Sequence, residues 1–223
     1  MTVDASGPGV RDVVPLTGIR RTAARRMIKA WEAPAFTLTL TVDMSAALAV
    51  KQRDAQATVT DRLIECCARA LVRHPQLNAW YDDLTVTRFG QVNIGVAVAT
   101  DAGLMVPVVQ GADRLALPEI RAARRDLVSR AREGRLGRAD VTGGTFTISN
   151  LGMQGVDRFT AILNVPQVAI LAIGATSERY VRRDGAGEWV PQADFTLTCD
   201  HRAVDGATGA AFLTELRALI ETP

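Results

Sequence analysis

At 223 residues, 48% of them apolar and 22% charged, the chain can bury a hydrophobic core without disulfides or metals. A net charge of +2 excludes a strong electrostatic pull towards nucleic acid, and no apolar run approaches the roughly 20 residues of a membrane helix. The three cysteines, Cys66, Cys67 and Cys199, make no complete disulfide framework, and no apolar leader opens the sequence, so a reducing, cytoplasmic setting is expected.

The opening "MTVDASGPGVRDVV" is small, polar and Gly/Pro-bearing, and reads as a flexible arm over residues 1–14. Thr17 is the expected cap of a helix running to Trp31, with Ile19, Ala23, Met27 and Trp31 recurring every four residues. Arg21, Arg25 and Lys29 form a basic stripe on another face, and Pro34 stops the helix. "FTLTLTV", Phe36 to Val42, alternates and predicts a strand. Thr60 is the expected cap of a second helix, with Leu63, Ile64, Cys67 and Leu71 inward and an end near His74-Pro75. "NIGVAVAT" and "LMVPVV" are β-rich runs joined in a hairpin at Asp101-Ala102-Gly103. Pro118 suits the first turn of a third helix carrying Ile120, Leu127 and Val128 and closed by Gly134.

"GGTFTISNLGMQG" then predicts a strand entering a glycine-bearing turn, and "QVAILAIGA" a strand buried on both faces. "RRDGAGEW" reads as a turn and "ADFTLTCD" as an alternating strand. Asp205 is the expected cap of a last helix with Ala210, Leu213, Leu216 and Ile220 inward. Four helices and at least six strands interleave without a boundary, which is a mixed α/β domain.

The junction "CDHRAVDGATGAAFL" holds His201, one of two histidines in the chain. Three roles are open to it. A metal site starts from Cys199 and His201, two apart on a strand, but zinc needs three or four protein ligands and the sequence offers no matching set. A structural role has His201 closing the strand while Asp205 caps the helix. A general base is the third, since a neutral imidazole accepts a proton at cellular pH. No G-x-S-x-G elbow supplies a protein nucleophile, so such a base would activate a nucleophile on the substrate, and a thiol is a close match. Gly206 and Ala207 leave room for a ligand to approach.

Five blocks in order, "PLTGIRRTAARRM", "GLMVPVV", "GGTFTISNLG", "ILNVPQVAILAIGA" and "DHRAVDGA", carry a family resemblance over about residues 13–221. The sequence resembles the catalytic cores of dihydrolipoyl acyltransferases from 2-oxoacid dehydrogenase complexes, which share the fold of chloramphenicol acetyltransferase. The resemblance implies an α/β two-layer sandwich, a mixed sheet with helices packed on it, in a catalytic domain over residues 15–223. It implies a homotrimer with active sites between subunits, His201 facing a neighbour's Ser149, and a nearly inactive monomer.

In that family His201 would be the base that deprotonates the thiol of coenzyme A, or of dihydrolipoamide in reverse. A backbone carbonyl would fix its tautomer. Ser149 would donate to the oxyanion of the tetrahedral intermediate, where such donors matter most. Asp205 would be structural, paired with an arginine to hold the histidine loop while capping the helix. Coenzyme A would meet Arg21, Arg25, Asn150, Gly103 and Met105, although on the residues alone the arginine stripe is a solvated helix face. No metal is implied. The lipoyl group would come from another chain or a domain lying outside this sequence, and the partners would be a lipoyl domain, a decarboxylase and a dihydrolipoyl dehydrogenase.

Lipoyl and subunit-binding domains usually precede this core, and a leucine-rich tail usually follows it. Here neither is found, so a trimer that does not close into a large shell is expected. A stand-alone coenzyme A-dependent acyltransferase with another acceptor, and a non-catalytic scaffold core, are the rival functions.

Overall fold

The computed structural model describes residues 9, 11–16, 18–183 and 185–222. Helix α1 spans Gly18–Trp31, and the expected cap, Thr17, lies outside the described residues, as does most of the 1–14 arm. The apolar stripe of α1 is not buried in its own chain: Ile19 is 40% exposed and Trp31 80%, Ala23 and Met27 are half-buried, and only Ala30 of the helix is buried. Strand β1 (Ala35–Asp43) follows as its alternation demands. A short helix α2 (Ser45–Leu48) leads to α3 (Val59–Arg73).

The cap of α3 is Thr58, not Thr60. Thr58 takes the Asp61 amide, and the Asp61 carboxylate takes the Thr58 amide at 2.8 Å, a reciprocal arrangement that Thr60 inside the first turn cannot make. Asp61 is fully buried and also accepts from Arg124, which ties α3 to α4 (Leu117–Arg132). Leu63, Ile64, Cys67 and Leu71 point inward as expected.

Between these helices lie β2 (Ala79–Asp82) and β3 (Thr85–Arg88), a hairpin the sequence reading missed. The two β-rich runs each break in two. β4 (Ile94–Val96) and β7 (Val108–Val109) join the main sheet, while β5 (Val98–Thr100) and β6 (Gly103–Met105) form the expected hairpin apart from it. The chain continues through β8 (Phe146–Asn150), β9 (Ala169–Ile173), β10 (Ser177–Arg183), β11 (Ala186–Asp200) and α5 (Gly206–Glu221). The expected turn "RRDGAGEW" is narrower than its eight residues. Arg182 and Arg183 belong to β10, Ala186 to Trp189 belong to β11, and Asp184 lies outside the described residues.

The sheet runs β1-β11-β9-β8-β4-β7, with β10 added to β11. β8 is parallel to both neighbours and the other pairings are antiparallel. A central strand wedged between others is apolar on both faces, and all five residues of β9 are buried. The helices α3, α4 and α5 cover one face, where Phe146, Phe195, Phe212, Leu63 and Leu71 share the main core. In α5, Gly209 and Phe212 face inward with Leu213, Leu216 and Ile220, whereas Ala210 is exposed. A Cβ on Gly209 would stand 2.9 Å from Leu38, so the helix lies almost directly on β1.

Alternation puts a different set on the other face. Thr37, Thr39 and Thr41 of β1 stand opposite Thr198, Thr196 and Asp194 of β11. Thr39 and Thr196 share a hydrogen bond of 3.0 Å, and Thr41 donates to Asp194 at 2.8 Å. A small apolar cluster of Ala33, Ala161, Leu163, Ile170 and Ala172 covers part of this face. No helix among the described residues is long and apolar enough to cross a membrane.

Candidate active site

His201 stands where β11 gives way to the turn before α5. Its amide donates to the Pro34 carbonyl at 3.0 Å, and its exposed ring lies 4.6 Å from the Phe36 ring, centroid to centroid. The implied carbonyl partner for a ring nitrogen is not formed among the described residues. Cys199 is buried in the main core while His201 is exposed, so the two do not converge on a metal. No group of three or more His, Cys, Asp or Glu with metal-binding geometry exists among the described residues.

The turn is built by its neighbours. Asp200, 2% exposed, accepts from the Arg202 amide at 3.1 Å and from its guanidinium at 2.9 and 2.6 Å. The Arg202 guanidinium also lies over the Tyr81 ring at 4.1 Å. Two charges so held fix the backbone on both sides of His201. Asp205 is the cap of α5, its carboxylate accepting the Thr208 amide at 2.7 Å. The Thr208 amide and hydroxyl, with His201 near by, hold the Asp205 carboxyl below its ordinary range. The arginine expected beside Asp205 is found instead on Asp200, because Arg202 is close enough in sequence to turn back on it. The space beside Gly206 is open, with nothing within 4 Å of where a Cβ would stand.

Ser149 and Asn150 end β8 and are half-buried. Phe146 and Ile148 point into the main core, so Ser149 faces the other side of the sheet, with Thr147. Asn150 does not reach outwards: its side-chain oxygen takes the Gly152 amide at 2.9 Å. Beyond β4 the chain passes alongside this end, with the Ala97 amide on the Ile148 carbonyl at 2.9 Å, and enters the β5–β6 hairpin, where Met105 pairs with Val98. Gly103 has a φ of 130°. A Cβ there would stand 3.6 Å from Arg20 and 3.8 Å from Ile19, so the start of α1 packs on the hairpin. Arg21 and Arg25 are exposed on that helix, with Arg21 Nε donating to the Leu16 carbonyl at 2.9 Å.

The candidate residues therefore fall into two sets. Ser149, Asn150, Gly103, Met105 and Arg21 gather around one end of the sheet, His201 and Asp205 stand at the other, and Arg25 lies midway along α1 between them. The ladders fix the separation: Ser149 pairs with Ala172, and Ala172 with Thr196, five residues before His201. Two strand spacings of about 4.8 Å and five residues of about 3.3 Å each put Ser149 and His201 on the order of 20 Å apart. Helix α1 agrees with this. Its 14 residues span about 21 Å. Its start touches Gly103, and Pro34, just past its end, holds the His201 amide. No single chain brings the serine to the histidine.

Sequence reasoning missed Asp200, Arg202, Tyr81 and Phe36. The opposite charges flanking the histidine in "DHR" were the available signal for the first two; nothing local pointed to Tyr81.

Residues 8–223 match the family of 2-oxoacid dehydrogenases acyltransferase (catalytic domain). The dihydrolipoyllysine-residue acetyltransferase component of the pyruvate dehydrogenase complex from Zymomonas mobilis is 36% identical over 100% of this chain and 53% of its own length. The chain spans about half the length of the curated relatives it matches. The dihydrolipoamide acetyltransferase of Azotobacter vinelandii superposes with a TM-score of 0.92 at 30% identity, covering 100% of this chain and 96% of that one. In that protein a serine, a histidine and an asparagine have been investigated for roles in the catalytic mechanism. The cubic core of the pyruvate dehydrogenase multienzyme complex superposes equally well, with a TM-score of 0.92 at 31% identity over 100% and 96% of the two chains. Chloramphenicol acetyltransferase, at 14% identity and a TM-score of 0.58 over 88% and 94%, shares the fold. The chain belongs to the acyltransferase catalytic-domain family of the 2-oxoacid dehydrogenases.

Proposed function

We propose that the chain transfers an acyl group between dihydrolipoamide and coenzyme A, as part of a 2-oxoacid dehydrogenase complex, at a site shared by two copies in a trimer. The observation that carries this is the separation of Ser149 from His201 along one sheet: each stands at an end of its own subunit, where another copy can complete the site. The serine, histidine and asparagine of the Azotobacter relative stand at the same intervals from one another as Ser149, His201 and Asp205.

In the proposed reaction the His201 imidazole takes the proton from the thiol of coenzyme A. The thiolate attacks the carbonyl carbon of the acyl-lipoamide thioester, and the oxygen becomes an oxyanion that accepts a hydrogen bond from the neighbour's Ser149 hydroxyl. Collapse of the intermediate breaks the bond to the lipoamide sulfur, which recovers the proton from the imidazolium. Asp205 holds the start of α5 behind the histidine. Arg21 and Arg25, with Gly103 and Met105, border the approach of coenzyme A from the serine side, and Asn150 shapes the turn beneath. The lipoyl group arrives on another domain or chain, and the decarboxylase and dihydrolipoyl dehydrogenase are the partners that load and reoxidise it. A cytoplasmic setting suits three unpaired, buried cysteines. The relatives' names put acetyl first among the acyl groups to try.

The test supplies dihydrolipoamide and a series of acyl-coenzyme A thioesters to the wild-type chain and to His201→Ala. A fall of at least about 10²-fold in turnover is expected. Equal rates would remove His201 from the chemistry, and no transfer from any thioester would end the dihydrolipoamide reading.

A further inference from the structure

We infer that Asp194 is a positioning residue for Ser149, acting through Arg158 and the loop that leaves β8; this rests on the role proposed for Ser149 above. Ser149 is followed by one more strand residue and then by a tight turn that returns onto the end of β9. The Leu151 amide donates to the Ile173 carbonyl at 3.1 Å, and the Ala175 amide to the Val156 carbonyl at 2.8 Å. The contact is bare backbone. A Cβ on Gly152 would stand 2.6 Å from the Gly174 carbonyl oxygen, and one on Gly174 would stand 1.9 Å from that of Asp157.

The next residue, Arg158, reaches across to Asp194 on β11. Its Nε and terminal nitrogen donate to one carboxylate oxygen at 3.2 and 2.8 Å. The same carboxylate takes Arg179 of β10 through both oxygens, at 3.0 and 3.2 Å, and the Thr41 hydroxyl of β1 at 2.8 Å. The Gly174 amide donates to the Asp194 carbonyl at 3.0 Å. Main chain and side chain of one residue thus hold both the strand beneath the loop and the loop itself.

The stoichiometry separates positioning from plain stability. The Asp194 side chain is 4% exposed, and Arg179 alone already compensates its charge in a two-point pair. The second arginine is not needed for that. Arg158 is 59% exposed and would be solvated without difficulty if released. What its bond fixes is the position of residue 158, at the far end of the loop that follows Ser149.

Arg158→Gln is the clean probe, because Asp194 keeps Arg179 and Thr41. In the dihydrolipoamide assay its kcat is expected to fall about tenfold while KM stays within about twofold. The thermal midpoint should stay near wild type. Arg158→Lys should recover part of the loss, and Asp194→Asn, measured on folded protein, should reproduce it. In a Ser149→Ala background Arg158→Gln should cost nothing further, since both act through one hydroxyl. Full kcat in Arg158→Gln, or losses that multiply in the double variant, would overturn the inference while leaving the serine in place. Full turnover in Ser149→Ala alone would overturn the serine reading and this inference together.

Discussion

Two carboxylates on one strand hold the two halves of the proposed site. Asp194 and Asp200 stand six residues apart on β11, so both point from the same face, and they are 4% and 2% exposed. Asp200 takes its arginine from two residues on, inside the histidine turn. Asp194 takes arginines 36 and 15 residues away, from the loop after Ser149 and from β10. The buried carboxylate of the histidine half is therefore paired within a short piece of chain, and that of the serine half only once distant segments have met. Each half is held by its own buried carboxylate, and neither contains the other's reactive group.

The largest effect tests whether the halves meet between copies. His201→Ala and Ser149→Ala should each lose about 10²-fold or more in turnover. Unfolded together and reassembled at random, the two inactive chains should regain about a quarter of wild-type activity, because in a cyclic trimer that fraction of sites pairs an intact histidine with an intact serine. A mixture as inactive as its parents would break the two-copy reading.

The anchors should then respond unequally to losing one arginine. Arg202→Ala leaves Asp200 buried without a guanidinium and is expected to cost about 3 kcal/mol in urea unfolding. Arg179→Ala leaves Asp194 with Arg158 and Thr41, so a smaller loss of about 1–2 kcal/mol is expected. Equal losses would mean that the number of partners does not set the strength of the anchor.

The same contrast explains what could be read from sequence. "DHRAVDGA" carries its structure in adjacent residues: Asp200 and Arg202 pair, and Asp205 caps α5, as short-range chemistry requires. The alternation of "FTLTLTV" and the unbroken apolar run in β9 gave their strands for the same reason. Thr58 and Thr60 compete for one helix start, and the choice turns on Asp61, three residues after the first and one after the second. The exposed stripe of α1 misleads because periodicity reports that a face is apolar, not which chain covers it. The β2–β3 hairpin turns at Asp83-Leu84 with φ of 42° and 62°, a conformation that leucine does not advertise. The arginines of Asp194 lie beyond any local pattern.

Acid titration provides the most specific test of the serine-side anchor. Burial works against the charge on Asp194, but hydrogen bonds from Arg179, Thr41 and Arg158 outweigh it and hold the carboxyl at about 2, below its ordinary 3.8. A carboxyl depressed by folding adds stability that is fully present above its unfolded pKa and is lost as pH falls through its folded one. The window thus runs from 3.8 down to about 2, and the contribution is on the order of 2 kcal/mol. In urea unfolding the gap between wild type and Asp194→Asn should be flat near neutrality, then narrow by that amount across this window. A gap of constant size would mean that the volume and neutral hydrogen bonds of residue 194 carry its effect, and the ionic joint to the Ser149 loop would lose its basis.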